Sequence, residues 1–393
     1  MAEVVRAFAP GRTELAGNHT DHQGGRVVAA AVSCGIEMEV CPRSDEIARV
    51  ESEGFAPVVI DVRDGEPSAE ERFTTAALVR GVVTGLRAAG VEVGGFDARV
   101  SSTVPAGGGL SSSAAFELAL GAALCELGGA PIVDVCSAAV KQTSTTDVPL
   151  VRLAKIGQVA ERDFFGKACG LMDQLAVALG GVVAIDFAGE EPRVERIDFD
   201  FERCGYALCL IDTHCDHSLY TEEYSQVARD MDAVAAFLGA RVLSQVSEEA
   251  FFERLGDVRG ELGDVPALRG LHYYHECHLV DARTRALRDG DIEAFLHFTR
   301  ASGASSAQYL QNVSAFDRAS QPAMVALALA DKFLEGTGAC RIHGGGFGGT
   351  VQAFVPTERV GRFKARIDAH LGEGSCQVHR INESGASAFM TGR

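Results

Sequence analysis

Residues 105–115 read Pro-Ala-Gly-Gly-Gly-Leu-Ser-Ser-Ser-Ala-Ala. Residues 114–127, which follow the three serines, are rich in helix formers and carry a broad apolar face, so we expect a helix to begin at the serines. The glycines let the chain turn tightly and leave backbone N–H groups uncovered in front of that helix. A helix start with free N–H groups and hydroxyls is a ready site for an anion, most often a phosphate. A plain turn would need only one serine as a cap, so the sequence predicts a phosphate loop.

This loop differs from the common nucleotide-binding loop. The pattern GxxxxGK[ST] places a lysine before its hydroxyl residue, and residues 105–115 contain no lysine. The positive charge that phosphate chemistry requires is therefore expected from a metal ion or an arginine elsewhere in the chain. We expect the phosphate contacts along the glycines and serines of the loop, at Gly107, Gly108, Gly109, Leu110, Ser111, Ser112 and Ser113.

The bulk composition narrows the class of protein. The chain has 393 residues, of which 47% are hydrophobic and 23% charged, as is typical of a globular protein with two domains. A net charge of −18 argues against nucleic acid or an anionic membrane as the partner. Eleven cysteines occur without a CxxC pair, and the N-terminus does not resemble a secretory leader. We expect reduced thiols and a cytoplasmic location.

Strand-like and helical segments alternate, which predicts a mixed α+β fold. Runs with strand character occupy residues 3–9, 26–40, 96–101, 182–187, 206–212 and 350–356. Helical patterns occupy residues 148–165, 220–238, 267–288, 291–301, 322–334 and 358–371. We expect residues 10–25 to form a polar loop. The acidic stretch 189–200 is the expected join between two domains, residues 1–190 and 191–393.

The polar segment 10–25 has the composition of a sugar-binding loop. It reads PGRTELAGNHTDHQGG and places an arginine, a glutamate, two amides, two imidazoles and an aspartate between glycines. Dense donors and acceptors suit a polyhydroxylated ligand, because each sugar hydroxyl both donates and accepts. On composition alone, a solvated surface loop would be the favoured interpretation.

Four segments, in this order, resemble the galactokinase branch of the GHMP small-molecule kinases. Residues 10–25 resemble that family's sugar loop, and 105–115 its ATP-phosphate loop. Residues 169–174, CGLMDQ, are similar to the stretch that holds its catalytic aspartate, and 344–349, GGGFGG, to its third motif. The resemblance implies a two-domain α+β GHMP kinase fold, with an N-terminal ribosomal-protein-S5-like domain, a C-terminal ferredoxin-like domain and the active site between them.

The resemblance also implies an activity. It is ATP-dependent phosphorylation of galactose at the anomeric hydroxyl, with ATP and Mg as cofactors. The partner would be a small-molecule sugar, with neither nucleic acid nor membrane, and the chain a monomer or weak dimer.

The resemblance assigns roles to individual residues. Asp173 would be the catalytic base, although whether it removes the proton or only orients the hydroxyl stays open. Arg12 would be its electrostatic partner, since a shielded carboxylate has a raised pKa unless a cation offsets it. Ser113 and Glu161 would be the metal ligands. The sugar contacts would be Arg12, Asn18, His19, Asp21, Gly170, Asp173 and Tyr224. Without the resemblance, Asp173 could be a structural acid, Glu161 an exposed helix residue and Tyr224 a packing residue.

The sugar loop departs from the family at Asn18, where galactokinases usually carry glutamate. An amide still hydrogen-bonds a hydroxyl, but it does not repel an anion. The following residues, 22–25, also resemble plant galacturonate kinases. Galacturonate, or another galactose-type sugar, is therefore an alternative substrate.

Three interpretations from other classes fit less of the chain. Residues 344–349 satisfy the dinucleotide fingerprint GxGxxG, but a strand pattern follows where that fingerprint needs a helix. A non-catalytic sugar sensor is opposed by the intact serine loop together with Arg12 and Asp173. A zinc site is suggested by the cluster His272, His275, Cys277 and His278. However, His275 and Cys277 cannot share a helix face, and no second ligand cluster occurs at finger spacing.

Overall fold

The computed structural model describes residues 4–105, 109–133, 148–167, 169–215, 220–314 and 319–391. These residues form an eight-stranded sheet, a four-stranded sheet and a two-stranded ladder. The strands are β1 (Val4–Ala16), β2 (Arg26–Pro42), β3 (Ile47–Ser52), β4 (Val58–Asp61), β5 (Phe96–Ser102), β6 (Ile132–Val133), β7 (Val148–Pro149), β8 (Val182–Asp186), β9 (Arg193–Ile197), β10 (Tyr206–Asp212), β11 (Ala339–Ile342), β12 (Thr350–Pro356), β13 (Cys376–His379) and β14 (Ser387–Thr391). The α-helices are α1 (Thr75–Ala88), α2 (Ser112–Leu127), α3 (Leu150–Val159), α4 (Met172–Leu179), α5 (Thr221–Phe237), α6 (Glu248–Leu262), α7 (Asp264–Asp289), α8 (Ile292–Ser305), α9 (Pro322–Leu334) and α10 (Val360–Leu371). The predicted mixture of helices and strands is confirmed.

The first sheet is built around the two longest strands. Its order is β14-β1-β2-β5-β3-β4, with β8 joined to β2 and β9 joined to β8. Strands β1 and β2 are antiparallel from the pair Val5–Val40 to the pair Ala16–Val28, with irregularities where β1 changes register. Strands β3 and β5 are parallel. Strands β9 and β14 lie beyond residue 190 and still pair within this sheet. The division at residues 190/191 stays a prediction.

The first half of segment 10–25 is a strand, so the prediction of a loop over all of it is wrong. Strand β1 continues to Ala16, and only residues 17–25 form the turn between β1 and β2. The strand was not predicted because its polar side chains are buried against another sheet instead of alternating with apolar ones. Thr13 lies 3.0 Å from Nε2 of His343, and Gln352 donates to the carbonyl of Glu14 at 3.1 Å.

Helix α2 is the centre of the first core. It begins at Ser112, which confirms the predicted start at the serines, and residues 114–125 are buried on all its faces. The helix packs against β1, β2, α1, α3 and α4. A side chain at Gly121 would lie 2.6 Å from Leu153, so small residues let α3 approach. The packing places the N-terminus of α2 beside β1.

The second sheet is antiparallel, in the order β11-β12-β10-β13. Helices α9 and α10 pack on it around a separate apolar cluster. Residues 350–356 form the predicted strand, so the structure gives GxGxxG no helix to open. Helices α5, α6 and α7 enclose a third cluster. Helices α1 and α6 are among the elements that the sequence pattern did not predict. In the part of the chain described, no helix combines the length and the apolar character that crossing a membrane requires.

Candidate active site

Arg12 and Asp173 form a largely buried ion pair, although 161 positions separate them in the chain. Arg12 lies in β1, and its Nε and Nη2 donate to Oδ1 and Oδ2 of Asp173 at 2.6 and 2.8 Å. Asp173 lies in the first turn of α4. Burial alone would raise the pKa of Asp173, but the charge and hydrogen bonds of Arg12 lower it to about 2. The carboxylate is therefore ionised at neutral pH and held in one orientation.

The phosphate loop contacts this ion pair directly. The Ser111 hydroxyl donates to Oδ2 of Asp173, and Nη1 of Arg12 donates to the carbonyl of Gly109 at 2.6 Å. Ser111 has a φ of 57°, in the left-handed region that serine rarely adopts. Backbone strain of this kind is found where the surrounding structure fixes a residue for function. The loop, the arginine and the aspartate thus form one connected group.

The other loop residues lie on either side of this contact. Gly107 and Gly108 lie outside the described residues. Leu110 is buried, and its carbonyl accepts a hydrogen bond from the backbone N–H of Arg12 at 3.1 Å. Ser112 is the first residue of α2. Their phosphate contacts stay a prediction, but the described part of the loop does end at a helix N-terminus.

Ser113 and Glu161, the predicted metal ligands, lie together. The Ser113 hydroxyl donates to Oε1 of Glu161 at 2.6 Å. Glu161 lies in a π-helical turn, Ala160–Phe165, that continues α3, and such turns occur frequently at functional sites. Glu161 is fully buried, so the alternative of an exposed helix glutamate is wrong. A hydroxyl and a carboxylate are hard oxygen donors of the type that Mg²⁺ prefers, so this pair fits the ion.

Three further polar residues surround Glu161 and were missed from the sequence. Lys167 Nζ donates to Oε1 of Glu161 at 2.8 Å. Gln174 Nε2 donates to Oε2 of Glu161 at 2.8 Å and to Glu117 at 3.1 Å. Burial and the charge of Glu161 raise the pKa of Glu117 well above its usual range. The position of Gln174, directly after Asp173, was a usable signal; nothing in the pattern marked Glu117.

Helix α7 holds the turn between β1 and β2. The backbone N–H groups of Gly17 and Asn18 donate to Oε1 of Glu276 at 3.1 and 3.4 Å. Glu276 is paired with Arg283, and both side chains are fully buried. Nε2 of His272 lies 2.9 Å from the carbonyl of Asn18. A buried charge that accepts several hydrogen bonds fixes this turn more firmly than its glycine-rich sequence suggests.

The side chain of Asn18 contacts the third glycine motif. Its Nδ2 donates to the carbonyl of Gly344, and its Oδ1 accepts from Asn312 at 2.8 Å and from Ser306 at 3.2 Å. Asn18 is fully buried. Its contact with a sugar stays a prediction, while its contacts here link residues 17–25 to residues 344–349. Nothing in the sequence pattern pointed to Asn312.

His19 and Tyr224 lie against each other beside the same motif. Nε2 of His19 lies 3.0 Å from the carbonyl of Gly345, so Nε2 carries the proton and Nδ1 is left as an acceptor. Burial lowers the pKa of His19 to about 3, with His22 acting in the same direction, so the ring is neutral. The rings of His19 and Tyr224 are 5.1 Å apart. A Cβ on Gly345 would lie 2.6 Å from the Tyr224 ring.

Asp21 and Gly170 are also brought together. A side chain on Gly170 would collide with Oδ2 of Asp21, so glycine is required for this approach. Burial raises the pKa of Asp21, while the neighbouring His22 partly opposes the shift. Gly170 lies three residues before Asp173. The predicted sugar residues and the predicted base therefore occupy one region.

The histidines of α7 have separate partners. His272 contacts Asn18 and Ser305, whereas Nε2 of His278 contacts Glu248 at 2.6 Å. Across residues 4–391, apart from the gaps given above, no group of three or more His, Cys, Asp or Glu side chains could hold a metal ion. The zinc interpretation gains no support from these contacts.

Comparison with known proteins places the chain in a family. Residues 77–181 match the model of the GHMP kinases N terminal domain, and residues 2–42 match the galactokinase galactose-binding signature. The chain is 31% identical over 370 residues to a galactokinase of Glaesserella parasuis serovar 5 (strain SH0165), covering 91% of this chain and 87% of that one. It is 30% identical over 362 residues to a galactokinase of Actinobacillus pleuropneumoniae, covering 90% and 85%.

Solved structures agree on the fold. The galactokinase of Lactococcus lactis in complex with galactose superposes with a TM-score of 0.81 at 24% identity, covering 98% of this chain and 95% of that one. The mevalonate kinase of Methanococcus jannaschii superposes with a TM-score of 0.66 at 14% identity, covering 96% and 98%. The mixed α+β fold of the GHMP kinases, expected from the four segments, is confirmed. Because the chain is at least 30% identical to galactokinases over nine-tenths of its length, it belongs to the galactokinase family of the GHMP kinases.

Proposed function

We propose that this protein transfers the γ-phosphoryl group of ATP to the anomeric hydroxyl of galactose, giving galactose 1-phosphate. The observation that carries the proposal is the connected group of Arg12, Asp173 and Ser111. It joins a phosphate loop at a helix N-terminus to a carboxylate beside the sugar loop. This arrangement suits phosphoryl transfer, because the phosphoryl donor and the acceptor hydroxyl must be positioned in line.

The sugar would lie among Asn18, His19, Asp21, Gly170 and Tyr224, with Arg12 and Asp173 at its anomeric carbon. Neutral His19 and the Asp21 carboxyl group offer hydrogen bonds to hydroxyls without requiring a charged ligand. Galactose is the substrate proposed first because the relatives at 30% identity and above are galactokinases.

The phosphates of ATP would lie against the N-terminus of α2, with Gly107, Gly108, Gly109, Leu110, Ser111, Ser112 and Ser113 as the contacts. Ser113 and Glu161 would hold Mg²⁺, which would supply charge neutralisation to the phosphates. Arg12 adds a fixed guanidinium that can stabilise charge on the transferring group.

Asp173 would orient the acceptor hydroxyl and accept its proton late. Its pKa of about 2 makes it a weak base toward an alcohol that has not yet reacted. In a loose transition state the hydroxyl becomes acidic only as its bond to phosphorus forms, so a weak, well-placed acceptor is sufficient. This favours orientation over early proton removal.

The testing experiment is ADP release from Mg-ATP with a panel of galactose, galacturonate, glucose, N-acetylgalactosamine and mevalonate. Turnover highest with galactose supports the proposal. Preference for galacturonate keeps the mechanism and changes the substrate. If the protein binds a sugar but phosphorylates no compound of the panel, the role of Asp173 is contradicted and a sugar sensor is favoured. The cytoplasmic location, the monomeric or weakly dimeric state and the 1–190 and 191–393 division stay predictions.

A further inference from the structure

Lys167 places a second cation beside the phosphate loop, in addition to Arg12. It follows the π-helical turn that carries Glu161, and its Nζ donates to Oε1 of Glu161 at 2.8 Å. The same oxygen accepts the Ser113 hydroxyl at 2.6 Å. One oxygen of Glu161 therefore links the ammonium group of Lys167 to Ser113, in the first turn of α2.

The geometry leaves Lys167 able to bind a ligand. Its side chain is 51% exposed, whereas Glu161 is fully buried. Within the described residues, the ammonium group of Lys167 donates to Glu161. An ammonium group has three protons, so two protons of Lys167 have no acceptor among the described residues. Both oxygens of Glu161 also accept from Ser113 or Gln174. Lys167 is therefore not needed to satisfy the hydrogen bonding of that carboxylate.

We propose that Lys167 binds the terminal phosphate of ATP and supplies the cation that the loop itself lacks. Residues 105–115 contain three serine hydroxyls but no lysine. Lys167 brings an ammonium group to the same place from another segment of the chain. A point charge on a flexible stem is well suited to a phosphate that moves during transfer. This inference rests on the proposed function, because it requires ATP to bind at α2.

The test is the variant Lys167→Met, with Lys167→Arg as the charge-conserving partner. Lys155→Met is the matched control, because Lys155 lies on the preceding helix and pairs with Glu191 at the surface. Isothermal titration calorimetry without sugar measures the affinity for a non-hydrolysable ATP analogue and for ADP. We expect Lys167→Met to weaken the analogue about tenfold or more, the loss expected for one charged hydrogen bond, and ADP by less than about twofold. Lys167→Arg should recover part of the loss.

Kinetics provide the second measurement. With galactose as acceptor, Lys167→Met should lower kcat by about 10²-fold, as does loss of other transition-state donors, while the KM for galactose is unchanged. An equal loss of affinity for both nucleotides, or no loss for either, overturns the proposal and makes Lys167 a structural partner of Glu161. A wild-type chain that binds nucleotide but phosphorylates no sugar contradicts the proposed function alone. One that binds neither nucleotide overturns both.

Discussion

Gly170 lies so close to the carboxylate of Asp21 that a methyl group on its Cα would collide with Oδ2. Gly170→Ala should therefore push Asp21 away from the sugar. We expect the KM for galactose to rise about tenfold or more, the cost of one charge-assisted hydrogen bond, with a smaller change in kcat. Gly94→Ala is the control, since nothing lies within 4 Å of a Cβ there. An unchanged KM would mean that Asp21 does not touch the sugar.

Asp173 should be needed for turnover more than for sugar binding. Asp173→Asn keeps the shape but removes the charge that Arg12 holds and the acceptor for the hydroxyl proton. We expect kcat to fall by about 10²- to 10⁴-fold, while the dissociation constant for galactose changes much less. Asp163→Asn is the matched control, because Asp163 is exposed and pairs with its neighbour Arg162. A loss of sugar affinity as large as the loss of kcat would contradict this division.

Arg12 should set the pH range over which Asp173 stays ionised. Burial raises the pKa of Asp173, and Arg12 is the main group that lowers it to about 2. The wild-type enzyme should therefore lose no activity through Asp173 between pH 8 and pH 5. In Arg12→Gln the pKa rises, so the residual activity should fall as the pH drops toward the new value. The measurement is kcat against pH for the wild type, Arg12→Gln and Arg12→Lys, and we expect Arg12→Lys to shift the profile less than Arg12→Gln. Three superimposable profiles would contradict the role of Arg12.

Asn18 should influence which sugar is accepted. Asn18→Glu introduces a carboxylate beside the carbonyl of Gly344 and removes the donor that now serves it. If a C6 carboxylate binds near this position, galacturonate turnover should fall far more than galactose turnover, because like charges repel. The ratio of the two kcat/KM values is the measurement. Equal losses for both sugars would show that Asn18 supports the turn without contacting C6.

The sequence predicts one part of this site better than another. The phosphate loop and α2 were predictable, because glycines, serines and an apolar helix follow one another directly. Strand β1 beyond residue 10 was not, since Thr13 and Glu14 are buried against groups more than 300 positions away, including His343. The same holds for the contact between Lys167 and Ser113 through Glu161. Local pattern cannot reveal a polar residue whose partner is supplied by the tertiary fold.

The buried pair of Glu276 and Arg283 should contribute strongly to stability. Removing one partner of a buried ion pair typically costs about 3–5 kcal/mol, and Glu276→Gln also weakens the acceptor for Gly17 and Asn18. We expect a loss of this size in the free energy of unfolding at pH 7, measured with urea, together with a raised KM for galactose.

The pH dependence of that loss identifies its cause. Burial would raise the pKa of Glu276, but Arg283 and neighbouring groups lower it from 4.5 to about 2. A lowered pKa means that the ionised carboxylate stabilises the fold above pH 4.5 and that this contribution disappears as the pH falls toward 2. The difference between wild type and Glu276→Gln should therefore shrink between pH 5 and pH 3. The control is Glu253→Gln, at an exposed residue, which should show no such trend. If the difference between wild type and Glu276→Gln does not depend on pH, the loss of stability comes from packing and not from charge.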